Sequence, residues 1–249
     1  MIPHETIPIF GMSWWQSNAI TILIIFLVLF LGKRSDRTQI KKIAYILGSI
    51  MISRAIFIHA YLIYLGKWNI QSSLPLQMCS ISAILAGVVI FWRNQWLYEF
   101  LFFWGIPGAF HSLLTPEFTV GTEGFLFVEY FISHGGIILN ALFITLYLDM
   151  KPRKGSWWRI AIWSHIPVGI IAIINWFIDA NYMYLCEKPI VNNPFIIGEW
   201  PWYILILEAA GLLHFLIVYF LLKSQFLSLL ALQISLWYLM ILLLQLLHH

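Results

Sequence analysis

Cys79 and His134 are the groups in this sequence best suited to covalent chemistry. Cys79 closes the stretch Leu74-Pro-Leu-Gln-Met-Cys79, and His134 lies in Ser133-His-Gly-Gly136. A thiolate attacks an ester carbonyl, and an imidazole takes the thiol proton and returns it to the leaving group. Two readings of Cys79 stand side by side: a nucleophile served by a base, and a small side chain filling a helix interface. His134 reads either as that base or as a histidine bonded to a backbone carbonyl across helices. The glycines after it allow close helix contact or close approach of a ligand. Cys186 is the other cysteine. A bond from it to Cys79 would leave no free thiol.

Further polar side chains fall inside apolar runs: Arg54, His59, Gln77, His111, Asn175, Asn181, Glu208 and His214. Such groups are costly in a membrane and are normally paired or functional, so they are candidate binding residues. Arg54 suits a thiolate, a carbonyl oxygen or a phosphate; its bland alternative is a buried pair with Glu208. His59 is a further candidate base by depth. No HExxH, GxSxG or HxxxxD spacing occurs, and two cysteines make neither a disulfide framework nor a CxxC site. No metal and no cofactor is expected.

The elements that must carry these groups are membrane helices. The chain is 61% hydrophobic and 10% charged, against roughly 45–50% and 25% in a soluble domain. A span needs about 20 mostly apolar residues. Seven runs qualify, at about 14–31, 43–65, 74–92, 96–114, 125–148, 157–178 and 202–222. Ser73 is the expected cap of the third helix and Pro75 a residue of its first turn. That start places Cys79 about 9 Å along the helix at 1.5 Å per residue, too deep for the helix dipole to matter. Ser82, Ala83, Ala86 and Gly87 follow as a small-residue stripe, which turns this face inward. Gly105, Pro107 and Gly108 should kink the fourth helix.

Charge sets the orientation. Lys33, Arg34, Arg37, Lys41, Lys42, Arg93, Lys151, Arg153, Lys154, Arg159 and Lys223 follow odd-numbered spans, whereas only Lys67 and Lys188 follow even ones. The positive-inside rule then puts the N-terminus outside. The start, Met1-Ile-Pro-His-Glu5, has no basic region or cleavage site and reads as mature sequence. The expected architecture is an all-α polytopic bundle of seven transmembrane helices over 1–223. An apolar tail, 224–249, follows, in which 226–247 is long enough for an eighth span, an interfacial helix or a partner-binding helix. The candidate residues concentrate in the outer half, which suggests a polar cavity on that side. No basic patch lies outside the membrane-flanking loops, so a nucleic-acid partner is excluded.

Several segments together resemble a known group. Leu74-Pro-Leu-Gln-Met-Cys79 is similar to its LPLHxC segment, and Phe103-Trp-Gly105 with Leu114-Thr-Pro-Glu117 to its FWG…LTPD segment. Phe131-Ile-Ser-His-Gly135 resembles FxxSHG; Asn181-Tyr-Met183, Lys188-Pro189 and Trp200-Pro-Trp-Tyr203 match two further blocks. The group is the bacterial YwaF-like integral membrane family, related to eukaryotic transmembrane protein 164; the likeness covers about residues 10–222. It implies a seven-helix bundle with distant kinship to androgen-induced-type hydrolases of fatty-acid esters. It also implies phospholipid acyl transfer through a Cys and a His, by motif Cys79 and His134. The expected partners are then membrane lipids, a phospholipid or lysophospholipid, in a bacterial cytoplasmic membrane. Gln77 stands where many relatives have His, and His111 where several have Gln, so His111 is a second candidate for the base. The rival reading is a seven-helix transporter or ligand-binding protein using the same outer cavity, with Arg54 and Glu208 as its working groups. A third is a scaffold whose apolar tail docks a partner.

Overall fold

Long apolar runs bounded by charge, glycine or aromatic residues set the helices. The structure, a computed structural model, describes residues 4–190 and 196–223. Helix α1 spans Met12–Arg34 and ends on Lys33 and Arg34, which complement its negative end. A capping box starts α2 (Arg37–Tyr64): Asp36 Oδ1 accepts the Thr38 and Gln39 N–H groups, and the Gln39 side chain accepts the Asp36 N–H. Helix α3 covers Met78–Phe91. Asn94 caps α4 (Gln95–Phe100), which runs through a π-helical turn, Leu101–Gly105, into α5 (Ile106–Leu114). Then come α6 (Phe125–Tyr147), α7 (Ser156–Ile178) and α8 (Trp202–Lys223). A two-residue strand β1 (Glu5–Thr6) pairs antiparallel with β2 (Glu117–Phe118).

Counted with α4 to α5 as one rod, the described residues form the seven-helix all-α membrane bundle expected from sequence. Five of the helices are long and apolar enough to cross a bilayer on their own. The π turn is what becomes of the expected kink in the fourth. Pro107 brings no N–H to the Phe103 carbonyl, and a widened turn absorbs the mismatch. The tail 224–249, with its expected eighth span, lies outside the described residues.

Helix α6 is the axis, with 67% of its apolar window buried against 17–22% for the other long helices. Its Gly135 faces Thr21 of α1, and its Gly136 faces Met51 of α2, at distances that leave no room for a side chain. So the glycines after His134 serve helix contact. Helix α3 packs between α2 and α6, with Ser82, Ala83, Ala86 and Gly87 all buried, as the small-residue stripe requires. The start of α3 differs from expectation. Its N-cap is Gln77, and Ser73 makes a different bond, accepting the Asn69 N–H. Residues 70–77 are held instead by a distant loop: the Tyr182 hydroxyl donates to the Ile70 carbonyl and accepts the Leu74 N–H.

Contacts separate two ends. At one, the fully buried Glu99 accepts hydrogen bonds from the Arg153 N–H and guanidinium and from Gln95. The Tyr147 hydroxyl reaches Leu29, and Tyr219 accepts the Gly155 N–H. This is the basic end. At the other, His4 meets Glu117, Glu5 accepts from Thr122, and Lys67 pairs with Glu123.

A Cβ added at Gly87 would lie 2.6 Å from Ile52 Cγ1 and 3.0 Å from the Gly48 carbonyl. Gly87→Ala is therefore expected to destabilise the bundle by about 1–3 kcal/mol, the usual range for overpacking, because backbone cannot yield as a side chain does. Thermal unfolding in detergent, against Gly211→Ala as a control where a Cβ meets open space, measures it.

Candidate functional site

The late start of α3 leaves the half of the bundle opposite the basic end without a continuous central helix, and a cavity of about 610 Å³ lies there. Eight of the sequence-stated candidates line it: Cys79, His134, Arg54, His59, Gln77, His111, Glu208 and His214. They come from α2, α3, α5, α6 and α8, elements far apart in the chain.

Cys79 is the second residue of α3, two positions after the cap. It therefore lies in the first turn, where unpaired N–H groups favour negative charge, and not a full turn deeper as the expected start implied. Its Sγ is 3.5 Å from Ser112 Oγ. The Ser112 hydroxyl donates to the Gly108 carbonyl at 3.0 Å, so the thiol is the donor between the two. The thiol is free of Cys186, which is exposed and itself free.

His134 Nδ1 lies 2.7 Å from the Tyr130 carbonyl, one turn back on its own helix. A carbonyl only accepts, so Nδ1 carries the proton and a neutral ring presents the Nε2 lone pair. The Tyr130 ring lies 4.2 Å from the imidazole, centroid to centroid and tilted by 44°, and its hydroxyl donates to the Ser112 carbonyl. Ser112 thus touches Cys79 with its side chain and, through Tyr130, leads to His134. Among the described residues no hydrogen bond joins Cys79 to His134 directly.

The other polar groups are paired. Arg54 bonds to Glu129 of α6, not to Glu208 as its sequence alternative had it, and Glu208 bonds to His165 of α7 at 2.9 Å. Arg54 Nε is buried with no hydrogen-bond partner among the described residues. His111 and His214 meet Nε2 to Nε2 at 2.9 Å. His214 Nδ1 donates to the Ala210 carbonyl, so in the neutral pair His111 is the donor to His214. His59 Nδ1 accepts the Trp68 indole N–H. Gln77 Oε1 accepts the Met183 N–H, which fixes the start of α3.

Asn175 and Asn181 are placed elsewhere. Asn175 binds both the N–H and the carbonyl of Tyr182, and Asn181 bonds to Cys186 and Glu187. Both shape the loop that clamps residues 70–77. In that loop, burial and the neighbouring Glu117 push the Tyr184 hydroxyl well above its usual range, so it remains a donor to Glu117. Ser112, Tyr130, Glu129, His165 and Glu117 also line the cavity and were missed as site residues from sequence. Ser112 was within reach of the depth argument, being the neighbour of His111. Among the described residues no group of three metal-ligating side chains forms.

When the thiol ionises, the Ser112 hydroxyl has to turn from the Gly108 carbonyl and donate to the thiolate, and among the described residues it is the one group hydrogen-bonded to Cys79; Ser112→Ala removes that donor. Hydrogen bonds to a charged group contribute about 1.5–3 kcal/mol, so Ser112→Ala is expected to slow alkylation of Cys79 at fixed pH by about tenfold or more. Ser112→Thr should retain the native rate. Mass spectrometry of iodoacetamide adducts in a Cys186→Ser background reads both.

No curated protein and no solved structure matches the chain. A family model does, over residues 9–219. That match takes in the whole cavity lining and all seven rods except the last turn of α8, and by it the chain belongs to the TMEM164 family.

Proposed function

We propose that this protein is a membrane-embedded lipid acyltransferase or lipid-ester hydrolase working through Cys79 and His134. The observation that carries the reading is that one cavity is lined by a thiol, by an imidazole whose Nε2 lone pair is not used by the Tyr130 bond, and by apolar side chains. Ile58, Leu62, Leu126, Val168, Leu207 and Phe215 supply the apolar part, suited to an acyl chain. Membership of the TMEM164 family supports it by analogy. The topology that goes with the reading is a multi-pass protein of a bacterial cytoplasmic membrane, basic end inside and cavity toward the outer face.

The steps balance as follows. With an ester carbonyl between the two groups, the Cys79 proton passes to His134 Nε2, directly or through one water. The sulfur attacks the carbonyl carbon, forming a C–S bond and an oxyanion. Collapse breaks the C–O bond to the leaving alcohol, which takes the proton from His134. The resulting thioester is then attacked by a lysolipid hydroxyl or water, whose proton goes to His134. The C–S bond breaks and the proton returns to the thiolate. Arg54 is the cation placed to attract the oxyanion, at the expense of part of its bond to Glu129. His111 and His214 form a second imidazole pair along the same wall, which keeps His111 in play as an alternative base.

Covalent capture tests the route. A phospholipid-like acylating probe should label the native protein in nanodiscs and fail to label Cys79→Ser. His134→Ala should label at least about a hundredfold more slowly, the lower range for loss of a general base. Acyl exchange that persists in Cys79→Ala would rule the thioester route out.

One observation favours a second reading. The Arg54–Glu129 and His165–Glu208 pairs line the same cavity, as ligands or proton carriers of a transporter would. On that reading Arg54→Ala and Glu208→Ala abolish uptake of a polar solute into vesicles, while Cys79→Ala transports normally; flux measurements on the three variants separate the two functions.

A further inference from the structure

The His165–Glu208 pair occupies an unusual place between lipid and cavity. On α7, His165 falls on the strip Trp158, Ile162, His165, Gly169, Ala172 and Trp176, spaced by three and four residues, and every member is exposed. It is the one polar side chain on that lipid-facing strip. Glu208 lies seven residues before Phe215 on α8, hence on the same face as that buried ring. The bond between them therefore runs from the outer surface of one helix to the inner surface of the next. Both line the cavity, yet their side chains are 64% and 45% exposed.

A gap accompanies the pair. Gly211, one turn beyond Glu208 on α8, also lines the cavity, and a Cβ built on it would meet nothing within 4 Å among the described residues. Ala161 and Val168 stand on the α7 side of the same lining. Two ionisable groups in mid-span cost free energy when they face hydrocarbon. A hydrogen bond between them lowers that cost and closes the gap at one point only, leaving small or apolar side chains on either side of it.

We propose that the space between α7 and α8 is the lateral port through which an acyl chain passes between the bilayer and the cavity, with the His165–Glu208 pair as a polar latch across it. The occupant, a lipid acyl chain, rests on the acyl-transfer reading. The port itself does not require that any chemistry follows. Small side chains at Ala161 and Gly211 leave width for a hydrocarbon chain, and the apolar walls beyond them continue to Cys79. The latch has to part, or swing to one side, for the chain to pass.

The experiment uses the full chain with Cys186→Ser, in nanodiscs, and two thiol reagents. One is a phosphatidylcholine whose sn-2 chain ends in a maleimide, so that it reaches Cys79 only from the bilayer. The other is a small water-soluble methanethiosulfonate, which approaches from the Glu117 end. Gly211→Trp fills the gap and is expected to slow labelling by the lipid reagent at least tenfold, with the aqueous rate held within about twofold. Equal rates in native and variant protein, or an equal slowing with both reagents, overturn the port. If Gly211→Trp does not fold, Glu208→Ala decides. A severalfold faster reaction with the lipid reagent alone supports the latch, and an unchanged rate overturns it. Neither readout needs catalysis. A port that holds in a protein with no acyl transfer sinks the enzyme reading alone, and acyl transfer with no effect of these variants on labelling sinks the port alone.

Discussion

Helix α3 lies close against α2 because a glycine on each helix stands where the two cross, with Ile90 and Phe91 of α3 packed over Gly48 and Ile52 of α2 over Gly87. Gly48 and Gly87 bring the two backbones together, and a single methyl at Gly87 would press on the Gly48 carbonyl. In lipid there is little hydrophobic gain from pairing apolar helices, so close van der Waals fit holds them. The fit also fixes the depth of α3. Its 14 residues rise about 21 Å at 1.5 Å per residue, well short of a hydrocarbon core of about 30 Å. The missing length becomes the cavity. Residues 70–77 take the place of the absent turns, and they need partners for backbone groups that a helix would have satisfied internally. The Tyr182 hydroxyl provides two of them, and the Gln77 side chain ties the segment to the same loop by accepting the Met183 N–H.

The same constraint arranges the polar groups. A cavity in mid-membrane lowers the cost of ionisable side chains that line it, and the pairs found there cross between helices. Arg54 ties α2 to α6, His111 ties α5 to α8, and Glu208 ties α8 to α7. Each pair gives polar atoms a partner within the membrane and braces a wall of the void. Cys79 and His134 differ from these. One hydrogen bond orients each toward a neighbour, the thiol to Ser112 and the imidazole to Tyr130, and neither is tied to an opposite charge. Groups held in direction but not neutralised are the ones able to exchange protons with a guest.

Much of this was legible in the sequence, because membrane helices are set by local composition. Seven runs, their order, the loops and the inward stripe of α3 all follow from hydropathy and residue size. The start of α3 did not follow. Ser73 and Pro75 form a plausible local cap, but the Tyr182 hydroxyl, more than 100 residues away in sequence, outcompetes it for the backbone. Partner choice was illegible for the same reason. Depth along a span places Arg54 near both Glu129 and Glu208; only the azimuth of α6 against α2, set by Gly136 on Met51, selects Glu129. Asn175 and Asn181 sat at a suitable depth too, yet their amide groups match backbone geometry in the Tyr182 loop and are used there. Pattern gives depth, and depth is one coordinate of three.

The late start of α3 also changes the surroundings of Cys79. At the expected depth it would be an ordinary small residue within a helix. As the second residue it lies beside the unpaired N–H groups of a first turn, at the floor of a cavity, under a serine hydroxyl. Gln77, the cap, is itself fixed by the Met183 N–H, and Met183 belongs to the loop that Asn175 orders through Tyr182. So the position of the thiol depends on a chain of backbone contacts reaching to the far end of α7. A packing cysteine does not require such a support, since any residue of similar volume fills its place. A thiol that must meet a carbonyl carbon requires placement to within a fraction of an ångström, and this support is of the kind that supplies it.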